Sequence, residues 1–276
     1  MPAGAVGGLI TTPRHPRVTR ARRLLKRAFR AGDRLFLVEG PQGVGEALAE
    51  PGALTELFST EEAAGRHAAL LQRAVEAGVP VHLTSGKVLG ELTQTVTPQG
   101  LVGVARFRDV TLDVVLDARP RLVAVLAEVR DPGNAGTVMR SADAAGVDAV
   151  VFTDASVDPY NPKCARASAG SHFHVPFVVG GTASDILDRL RTAGLRVVGA
   201  TAAGAESLDT ADLLGPTAWV FGNEAAGLPA EVVDACDTTV AVPIHGRAES
   251  LNLATAAALC LYASAREQRA PGGCRP

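Results

Sequence analysis

Three glycine-bearing stretches in the second half of this chain carry the residues best suited to chemistry. They span residues 134–140, 221–229 and 243–254, and we call them the first, second and third motifs. Each lies where an apolar run gives way to a helical pattern. Glycine permits unusual torsions and lets the backbone approach a ligand closely. The three motifs therefore predict loops that hold a ligand largely through backbone groups.

The first motif places an arginine beside a position that has no side chain. Gly136 and Arg140 are four residues apart, so they share one face of a predicted helix. Asn134 is predicted to cap this helix and Gly146 to end it. A simpler alternative is a surface helix in which Arg140 pairs with Asp143, three residues further on.

The second motif combines two glycines with two polar residues. Gly222 and Gly227 enclose Asn223 and Glu224, directly after an apolar strand pattern. An ordinary strand-to-helix turn explains the glycines as well as a binding loop does. That alternative does not explain why so polar a pair follows a buried strand.

The third motif predicts a loop that leads into a long helix. Ile244 ends the apolar run, Gly246 turns the chain, and Ser250 is predicted to cap a helix that begins at Leu251. Asn252 then lies inside an otherwise apolar helix, where burial would demand a hydrogen-bond partner.

Together, in this order, the motifs resemble those of the SpoU/TrmH branch of the SPOUT methyltransferases, over roughly residues 14–265. The resemblance implies S-adenosylmethionine as cofactor and methylation of a ribose 2'-hydroxyl in RNA. It also implies an α/β catalytic domain with a mostly parallel sheet and a trefoil knot, and a homodimer that packs through the final helices. Ribosomal RNA is preferred over transfer RNA as the substrate, because the two-domain arrangement resembles enzymes of ribosomal RNA. Metal is unnecessary, because a sulfonium already makes the methyl carbon electrophilic.

The resemblance also assigns roles to individual residues. It gives catalytic roles to Arg140, Asn134, Glu224, Ser250 and Asn252. It places nine residues around the cofactor: Thr201, Ala202, Gly222, Asn223, Gly227, Ile244, Ser250, Leu251 and Leu253. For Glu224 two roles stay open, contact with a ribose hydroxyl or ordering of Arg140.

The chemistry of Arg140 restricts its role. In this family the arginine is often proposed to deprotonate the ribose hydroxyl, but a guanidinium has a pKa above about 12 and stays protonated. We expect Arg140 to hold a neighbouring phosphate and to stabilise the developing alkoxide. The proton would then leave to water or to an RNA phosphate.

The pattern of the chain predicts two domains. Residues 14–107 form a compact α/β unit, which resembles the small RNA-binding domain, related to ribosomal proteins, that precedes many SpoU-type catalytic domains. Residues 121–267 alternate strands and helices, which predicts a mostly parallel sheet covered on both faces. Residues 108–120 are predicted to be a linker, and residues 1–13 and 268–276 to be loose tails.

Two groups of basic residues are candidates for contact with RNA phosphate. One helix predicted over residues 18–31 lines up Arg20, Arg23, Arg27 and Arg30 along a face. A solvated surface is the alternative, although a stripe of one charge repels itself unless an anion meets it. Lys163 and Arg166 form the second group, in a helix predicted to begin at Pro162 after an Asn161 cap.

Composition indicates a reduced, cytoplasmic protein with a substantial core. The 276 residues are 47% hydrophobic and 20% charged, with a formal net charge of −2. The four cysteines form no paired metal-binding spacing. Basic residues interrupt any leader-like apolar segment near the start, and residues 251–265 are too short to span a bilayer, so no membrane association is expected.

Two other functional interpretations remain at this stage. Residues 35–45 run from a strand through three glycines toward a helix, with Glu61 and Glu62 further on, which resembles a dinucleotide-binding or classical methyltransferase fold. The glycine spacing differs from the usual one, however, and a tight turn also explains it. A non-enzymatic RNA-binding protein would explain the basic helix alone. His172 and His174 could face one way on a strand, but they lack a third metal ligand and are interpreted as surface histidines.

Overall fold

The computed structural model describes residues 8–269. Within this range the chain forms two compact units. The first contains the residues up to Arg108 together with Tyr160–Phe173, and the second contains Asp109–Pro159 and the residues from His174 onward.

Eleven strands and twelve α-helices make up the two units in the described range. The strands are β1 (Leu35–Glu39), β2 (Leu54–Thr60), β3 (Val81–Thr84), β4 (Leu101–Arg106), β5 (Leu122–Leu126), β6 (Ala149–Phe152), β7 (Phe177–Val179), β8 (Arg196–Ala200), β9 (Glu206–Ser207), β10 (Thr217–Phe221) and β11 (Thr238–Ala241). The helices are α1 (Pro16–Arg23), α2 (Arg27–Asp33), α3 (Gly40–Ala49), α4 (Glu61–Arg66), α5 (Ala68–Glu76), α6 (Gly86–Gly90), α7 (Leu112–Asp117), α8 (Pro132–Ala145), α9 (Pro162–Ala167), α10 (Ala183–Thr192), α11 (Ala230–Asp234) and α12 (Leu253–Arg269). A short 3-10 helix covers Ser171–Phe173.

The first unit is built on a mixed four-stranded sheet in the order β1-β4-β2-β3. Strand β4 runs antiparallel to both β1 and β2, and β3 is parallel to β2. One face of the sheet packs on α1 and α6 through Val18, Leu24, Phe58 and Leu89. Because β1 has a single, antiparallel neighbour, it does not form the parallel strand–helix–strand unit that a dinucleotide-binding fold requires.

The second unit contains a seven-stranded, all-parallel sheet in the order β7-β6-β5-β10-β8-β11-β9. All residues of β5, β6 and β10 are buried, as expected for strands that are covered on both faces. The prediction of a mostly parallel sheet is therefore confirmed. Strands β5, β10, β8 and β11 are successive neighbours, so the segments that follow them meet at one edge of the sheet. The trefoil knot stays a prediction.

The predicted basic helix over residues 18–31 is wrong, because the chain breaks into α1 and α2. Lys26 adopts an extended conformation between them. The Arg30 guanidinium donates a hydrogen bond to the Leu24 carbonyl oxygen (2.8 Å), and Arg30 is only 3% exposed. The arginine stripe is thus split, and one of its members is a buried structural residue.

Other boundaries also differ from the prediction. Helix α7, capped by the Thr111 hydroxyl, lies within the predicted linker. Ile10, expected in a loose tail, is buried and pairs with Leu83 and Ser85 through backbone hydrogen bonds. Helix α12 continues into the region predicted as the second tail, where Gln268 donates side-chain hydrogen bonds to two backbone carbonyls. Residues 1–7 and 270–276 of the predicted tails, with Cys274, lie outside the described residues.

Among residues 8–269, none of the helices has the length and apolar character that a membrane span requires.

A buried polar contact joins α12 to the parallel sheet. The Trp219 indole N–H donates to the Ser264 hydroxyl (2.8 Å), and both residues are fully buried. An unpaired buried N–H costs about 1–3 kcal/mol. We therefore expect Ser264→Ala to lower the free energy of unfolding by about 1–3 kcal/mol, measured by urea denaturation with the fluorescence of this single tryptophan. Thr255→Ala on the exposed side of the same helix is the control, and an equal effect in both variants would contradict the expectation.

The pH dependence of stability should report on His82 in β3. His82 is 8% exposed, and its Nε2 has no hydrogen-bond partner among the described residues. Burial lowers its pKa from 6.5, and the charge of Arg17 lowers it further. The unfolded chain therefore takes up the proton more readily than the folded protein, so this part of the stability is complete above pH 6.5 and is lost as the pH falls below that value.

We expect His82→Leu to lose less unfolding free energy than the wild type between about pH 7 and pH 5, measured by urea titrations at each pH. Leu83→Ile, an apolar substitution in the same strand, is the control and should leave the pH dependence unchanged, because it removes no titratable group. Parallel pH profiles for the wild type and His82→Leu would refute the role of His82.

Candidate active site

An open cavity of about 180 Å³ lies beyond the carboxyl ends of β8, β10 and β11. Its wall contains all nine residues that the sequence predicts around a cofactor, namely Thr201, Ala202, Gly222, Asn223, Gly227, Ile244, Ser250, Leu251 and Leu253. Glu224 also lines it. The second and third motifs therefore meet in one cavity, with the segment that follows β8 between them.

Hydrogen bonds and steric limits fix the loop of the second motif. Asn223 and Gly227 exchange backbone hydrogen bonds of 2.8 and 2.9 Å, and Gly227 has a positive φ of 71°. The Asn223 side-chain oxygen accepts from the backbone N–H groups of Ala225 and Ala226. A Cβ at Gly222 would lie 2.4 Å from the Gly227 carbonyl carbon, so the turn closes only around a glycine. The loop is thus rigid before any ligand binds.

The second motif also holds the segment between β5 and α8. The Asn223 side-chain amide donates to the Glu128 carbonyl oxygen (3.1 Å), and Glu128 adopts a positive φ of 60°. A non-glycine residue in this region carries backbone strain, which the surrounding hydrogen bonds must offset. Asn223 therefore positions the neighbouring loop as well as its own.

Glu224 accepts three hydrogen bonds from that segment. Its carboxylate accepts from the backbone N–H groups of Arg130 (3.3 Å) and Asp131 (3.1 Å) and from the Asn134 side-chain amide (3.1 Å). Partial burial raises the pKa of the carboxyl, but hydrogen bonds from its own backbone, Asn134, Arg130 and Asp131 outweigh burial and lower the pKa overall. Glu224 is therefore a fixed anion at neutral pH.

Asn134 extends this network to the third motif, and its predicted role as a helix cap is wrong. Asp131 caps α8 instead, because its carboxylate accepts from the Asn134 backbone N–H (2.8 Å) and Pro132 begins the helix. The Asn134 side chain is thereby left to donate to Glu224 and to accept from the Asn252 amide (3.0 Å). The predicted end of the helix at Gly146 is confirmed.

Asn252, rather than Ser250, caps the final helix. The Asn252 side-chain oxygen accepts from the backbone N–H groups of Ala254 (2.9 Å) and Thr255 (3.3 Å), so α12 begins at Leu253 and not at Leu251. The expectation that Asn252 lies inside the helix is wrong for the same reason. Its amide donates to Asn134, so Glu224, Asn134 and Asn252 form a continuous chain of hydrogen bonds across the three motifs. We call this chain the motif network.

Arg140 is exposed on α8. Asp143, its predicted alternative partner, bonds the His174 ring instead (2.8 Å). Within the described part of the chain, Arg140 makes no hydrogen bond or ion pair. Its guanidinium is therefore open to an external anion.

The residues predicted to contact RNA differ in their surroundings. Arg20 pairs with Glu56 (2.8 Å), Arg23 lies over the Phe29 ring, and Arg27 is exposed. Arg30 is buried, so its expected exposed position is wrong.

The second basic group lies in the first unit, with α9. The Asn161 cap and the Pro162 start of this helix are confirmed. Lys163 is exposed, whereas Arg166 pairs with the Glu39 carboxylate (3.2 Å).

The interpretation of His172 and His174 as surface histidines is right for His174 and wrong for His172. His174 is exposed, but His172 is 3% exposed in the 3-10 helix and bonds the Ser168 hydroxyl. In the range that the structure covers, no group of three or more potential ligands could hold a metal ion.

Sequence reasoning missed the apolar part of the cavity wall. Four of the missed residues, Ala200, Phe221, Val240 and Val242, lie in or next to the carboxyl ends of β8, β10 and β11, and Leu228 and Ala256 complete the lining. The ends of the predicted strands could have indicated these residues, because ligands of parallel sheets bind beyond the carboxyl ends of the strands. The cap Asp131 could also have been read from its position just before Pro132.

The composition of the cavity matches the cofactor that the motifs imply. Small and apolar side chains form most of the wall, and Ile244 and Leu251 remain 37% and 36% exposed at its edge. Glu224 is the single charged residue among those that line the cavity in the described range. Apolar surfaces suit an aromatic base, and a carboxylate suits a ligand that carries positive charge.

Comparison with known proteins agrees with this geometry. The model of the SpoU rRNA Methylase family matches residues 121–262, and the MRM3-like substrate binding domain matches residues 15–103. The chain is 34% identical to the 23S rRNA (guanosine(2553)-2'-O)-methyltransferase RlmP of Bacillus subtilis, over 92% of this chain and 97% of the relative.

Two solved structures are similar over nearly the whole chain. The AdoMet-bound rRNA methyltransferase from Sinorhizobium meliloti is 31% identical with a TM-score of 0.81, covering 95% of this chain and 98% of that one. The SpoU methyltransferase AviRb from Streptomyces viridochromogenes, in complex with AdoMet, is 29% identical with a TM-score of 0.81 and covers 93% and 99%. With both the sequence and the fold in agreement, this chain belongs to the SpoU rRNA Methylase family.

Proposed function

We propose that this protein transfers the methyl group of S-adenosylmethionine to a ribose 2'-hydroxyl of 23S ribosomal RNA. The observation that carries the proposal is the motif network, which brings the three motifs of the family together beside one cavity. The relative RlmP is named for this reaction on a guanosine, which favours ribosomal over transfer RNA.

The cavity is the proposed cofactor site. Backbone groups of Thr201, Ala202 and Gly222 would serve the polar parts of the cofactor, while Ile244 and Leu253 would cover its base. When bound, S-adenosylmethionine supplies an electrophilic methyl carbon, so that the ribose oxygen forms the new C–O bond as the C–S bond breaks. Glu224 presents a fixed negative charge to the cationic ligand.

Arg140 is the proposed catalytic residue. Its exposed guanidinium would hold the phosphate next to the target ribose through two parallel hydrogen bonds and would stabilise negative charge on the attacking oxygen. The proton of the hydroxyl leaves to water or to an RNA phosphate, since a guanidinium does not accept it at neutral pH. Asn134 and Asn252 are positioning residues in this account, and Ser250 contributes to the edge of the cavity.

The assembly proposed for this enzyme is a homodimer in the cytoplasm, where ribosomal RNA is available. Leu259 and Tyr262 support a partner surface on α12, because they are 45% and 52% exposed and lie three residues apart on one face. The first unit is the proposed RNA-binding domain, with Arg20, Arg23, Arg27, Lys163 and Arg166 as candidates. Arg30 is omitted, because it is buried.

The role of Arg140 predicts a specific loss of catalysis. Arg140→Ala should reduce kcat by about 100-fold, the typical effect of removing one donor from a developing anion. Arg140→Lys should remain at least about tenfold impaired, because an ammonium cannot form the two parallel bonds. Both variants should bind S-adenosylmethionine like the wild type. The measurement is transfer of isotopically labelled methyl groups to 23S rRNA, with the product mapped by mass spectrometry.

Arg189→Ala, which removes an arginine of α10 from the same unit, is the control and should keep full activity. Near-wild-type transfer by Arg140→Lys would contradict phosphate holding. A wild-type protein that binds RNA but never S-adenosylmethionine would instead support a non-enzymatic RNA-binding protein.

The motif network predicts different effects for two substitutions at Asn252. Asn252→Asp keeps the oxygen that caps α12. It replaces the amide nitrogen, which donates to Asn134, with a carboxylate oxygen that cannot donate to the Asn134 oxygen. We expect unchanged thermal stability and about tenfold weaker binding of S-adenosylmethionine, equivalent to about 1.4 kcal/mol. Asn252→Ala should lose both the affinity and about 1 kcal/mol of stability. Calorimetric titration and thermal melting separate the two effects.

Asn161→Asp is the matched control, because Asn161 caps α9 through the same kind of bond and lies in the first unit. It should change neither property. Wild-type cofactor affinity in Asn252→Asp would mean that the amide donor does not organise the site.

A further inference from the structure

A groove of about 460 Å³ lies in the first unit between α1 and the sheet. Its charged residues are Arg20 and Arg23 from α1, Asp33 from α2, Glu56 from β2 and Arg106 from β4. We call this feature the basic groove. Arg106 is distant in sequence from the arginine-rich start of the chain, so sequence periodicity gave no reason to group it with Arg20 and Arg23.

Positive charge exceeds negative charge in the basic groove. Arg17 and Arg20 share one carboxylate, that of Glu56, at 3.0 and 2.8 Å. Arg23 and Arg106 are exposed, and neither pairs with a carboxylate of the described chain. Asp33 is the other carboxylate and is exposed without an ion pair in the same range. Glu56 and Asp33 offset part of this charge, and the positive charge that remains favours the entry of a further anion.

Part of the groove is organised before a ligand arrives. The Arg23 guanidinium lies 4.0 Å from the centre of the Phe29 ring, which restricts its rotation. The buried Arg30 donates to the Leu24 carbonyl oxygen and so fixes the break between α1 and α2 that shapes one wall. The backbone of Arg106 is fixed by the pairing of β4 with β1, although its side chain is exposed. For Arg23, less conformational entropy is then lost when an anion binds.

We propose that the basic groove binds the phosphodiester backbone of the RNA substrate, with Arg23 and Arg106 each contacting a phosphate. Arg20 supplies a third contact when a phosphate replaces Glu56 as its partner. The planar guanidinium matches phosphate oxygens in two-bond geometry, and the match of residues 15–103 to a substrate binding domain favours the RNA substrate as the source of that phosphate. The proposal rests on the proposed function, since it names the surface by which this enzyme holds its RNA, and it adds Arg106 while excluding the buried Arg30.

The test measures binding of 23S rRNA transcript by the full chain at several KCl concentrations. Arg23→Gln and Arg106→Gln should each weaken binding about 5- to 10-fold at low salt and reduce the salt slope by about 0.7–0.9, the value for one phosphate contact. The double variant should lose close to the product of the two effects. Affinity for S-adenosylmethionine should stay at the wild-type value, because the residues that line the cofactor cavity belong to the second unit.

Two further variants test whether a general loss of structure explains any weaker binding. Arg73→Gln removes an exposed arginine from α5, outside the groove, and should leave both affinity and slope unchanged. Asp33→Asn removes an anion from the groove and should tighten RNA binding about 2- to 3-fold, a gain that misfolding cannot produce.

Several outcomes would overturn the proposal. They are an equal loss in Arg73→Gln, an unchanged salt slope in Arg23→Gln and Arg106→Gln, or weaker binding in Asp33→Asn. Failure of the proposed function can be distinguished from failure of the basic groove. If the proposed function is wrong, the wild type transfers no methyl group, whereas the RNA affinities and salt slopes of the variants still test the groove.

Discussion

The arrangement of this site depends on a short series of hydrogen bonds between side chains that are distant in sequence. Glu224, Asn134 and Asn252 come from three separate segments of the chain, yet Glu224 bonds Asn134 at 3.1 Å and Asn134 bonds Asn252 at 3.0 Å. Two of them also accept from backbone N–H groups: Glu224 from those of the segment after β5, and Asn252 from those that begin α12. A shift of one loop therefore breaks bonds in the other two. This mutual dependence explains how a cavity that is formed largely by loops keeps one shape.

The parallel sheet is what makes such a network possible. Strands β5, β10, β8 and β11 are adjacent and run in one direction, so their following loops must lie side by side. The buried Trp219–Ser264 hydrogen bond and the packing of α12 on the sheet hold the helix that follows the third motif. Glycine at position 222 then lets the second loop turn tightly enough to place Asn223 and Glu224 toward the first. Chemistry at the surface is thus supported by contacts in the core.

Much of this architecture could be predicted from local patterns. Apolar strands that alternate with helices indicated the parallel sheet, and glycine-bearing motifs after strands indicated which residues meet in the cavity. Helix caps were harder to assign. Asn134 and Ser250 both look like caps by residue type, but Asp131 and Asn252 take those positions. Capping depends on which of several nearby polar side chains reaches the free N–H groups, and tertiary partners decide that choice.

The arginine-rich start of the chain also shows that local patterns do not predict which residues come together in the fold. A regular spacing of arginines predicted a single helical face, but the bond from Arg30 to Leu24 stabilises a break that the spacing cannot reveal. The contribution of Arg106 was equally hidden, because it depends on the antiparallel pairing of β1 with β4. Long-range pairing places residues together without leaving a periodic trace in the sequence.

A double-mutant cycle on the Asn134–Asn252 contact tests the central claim most directly. Asn252→Ser keeps a capping oxygen but removes the amide donor, and Asn134→Ala removes the acceptor. Calorimetric titration with S-adenosylmethionine should give about tenfold weaker binding for each single variant and no more than a further two- to threefold loss for the double variant, a coupling of about 1 kcal/mol. Independent, multiplying losses of about 100-fold would contradict the claim that this contact organises the site.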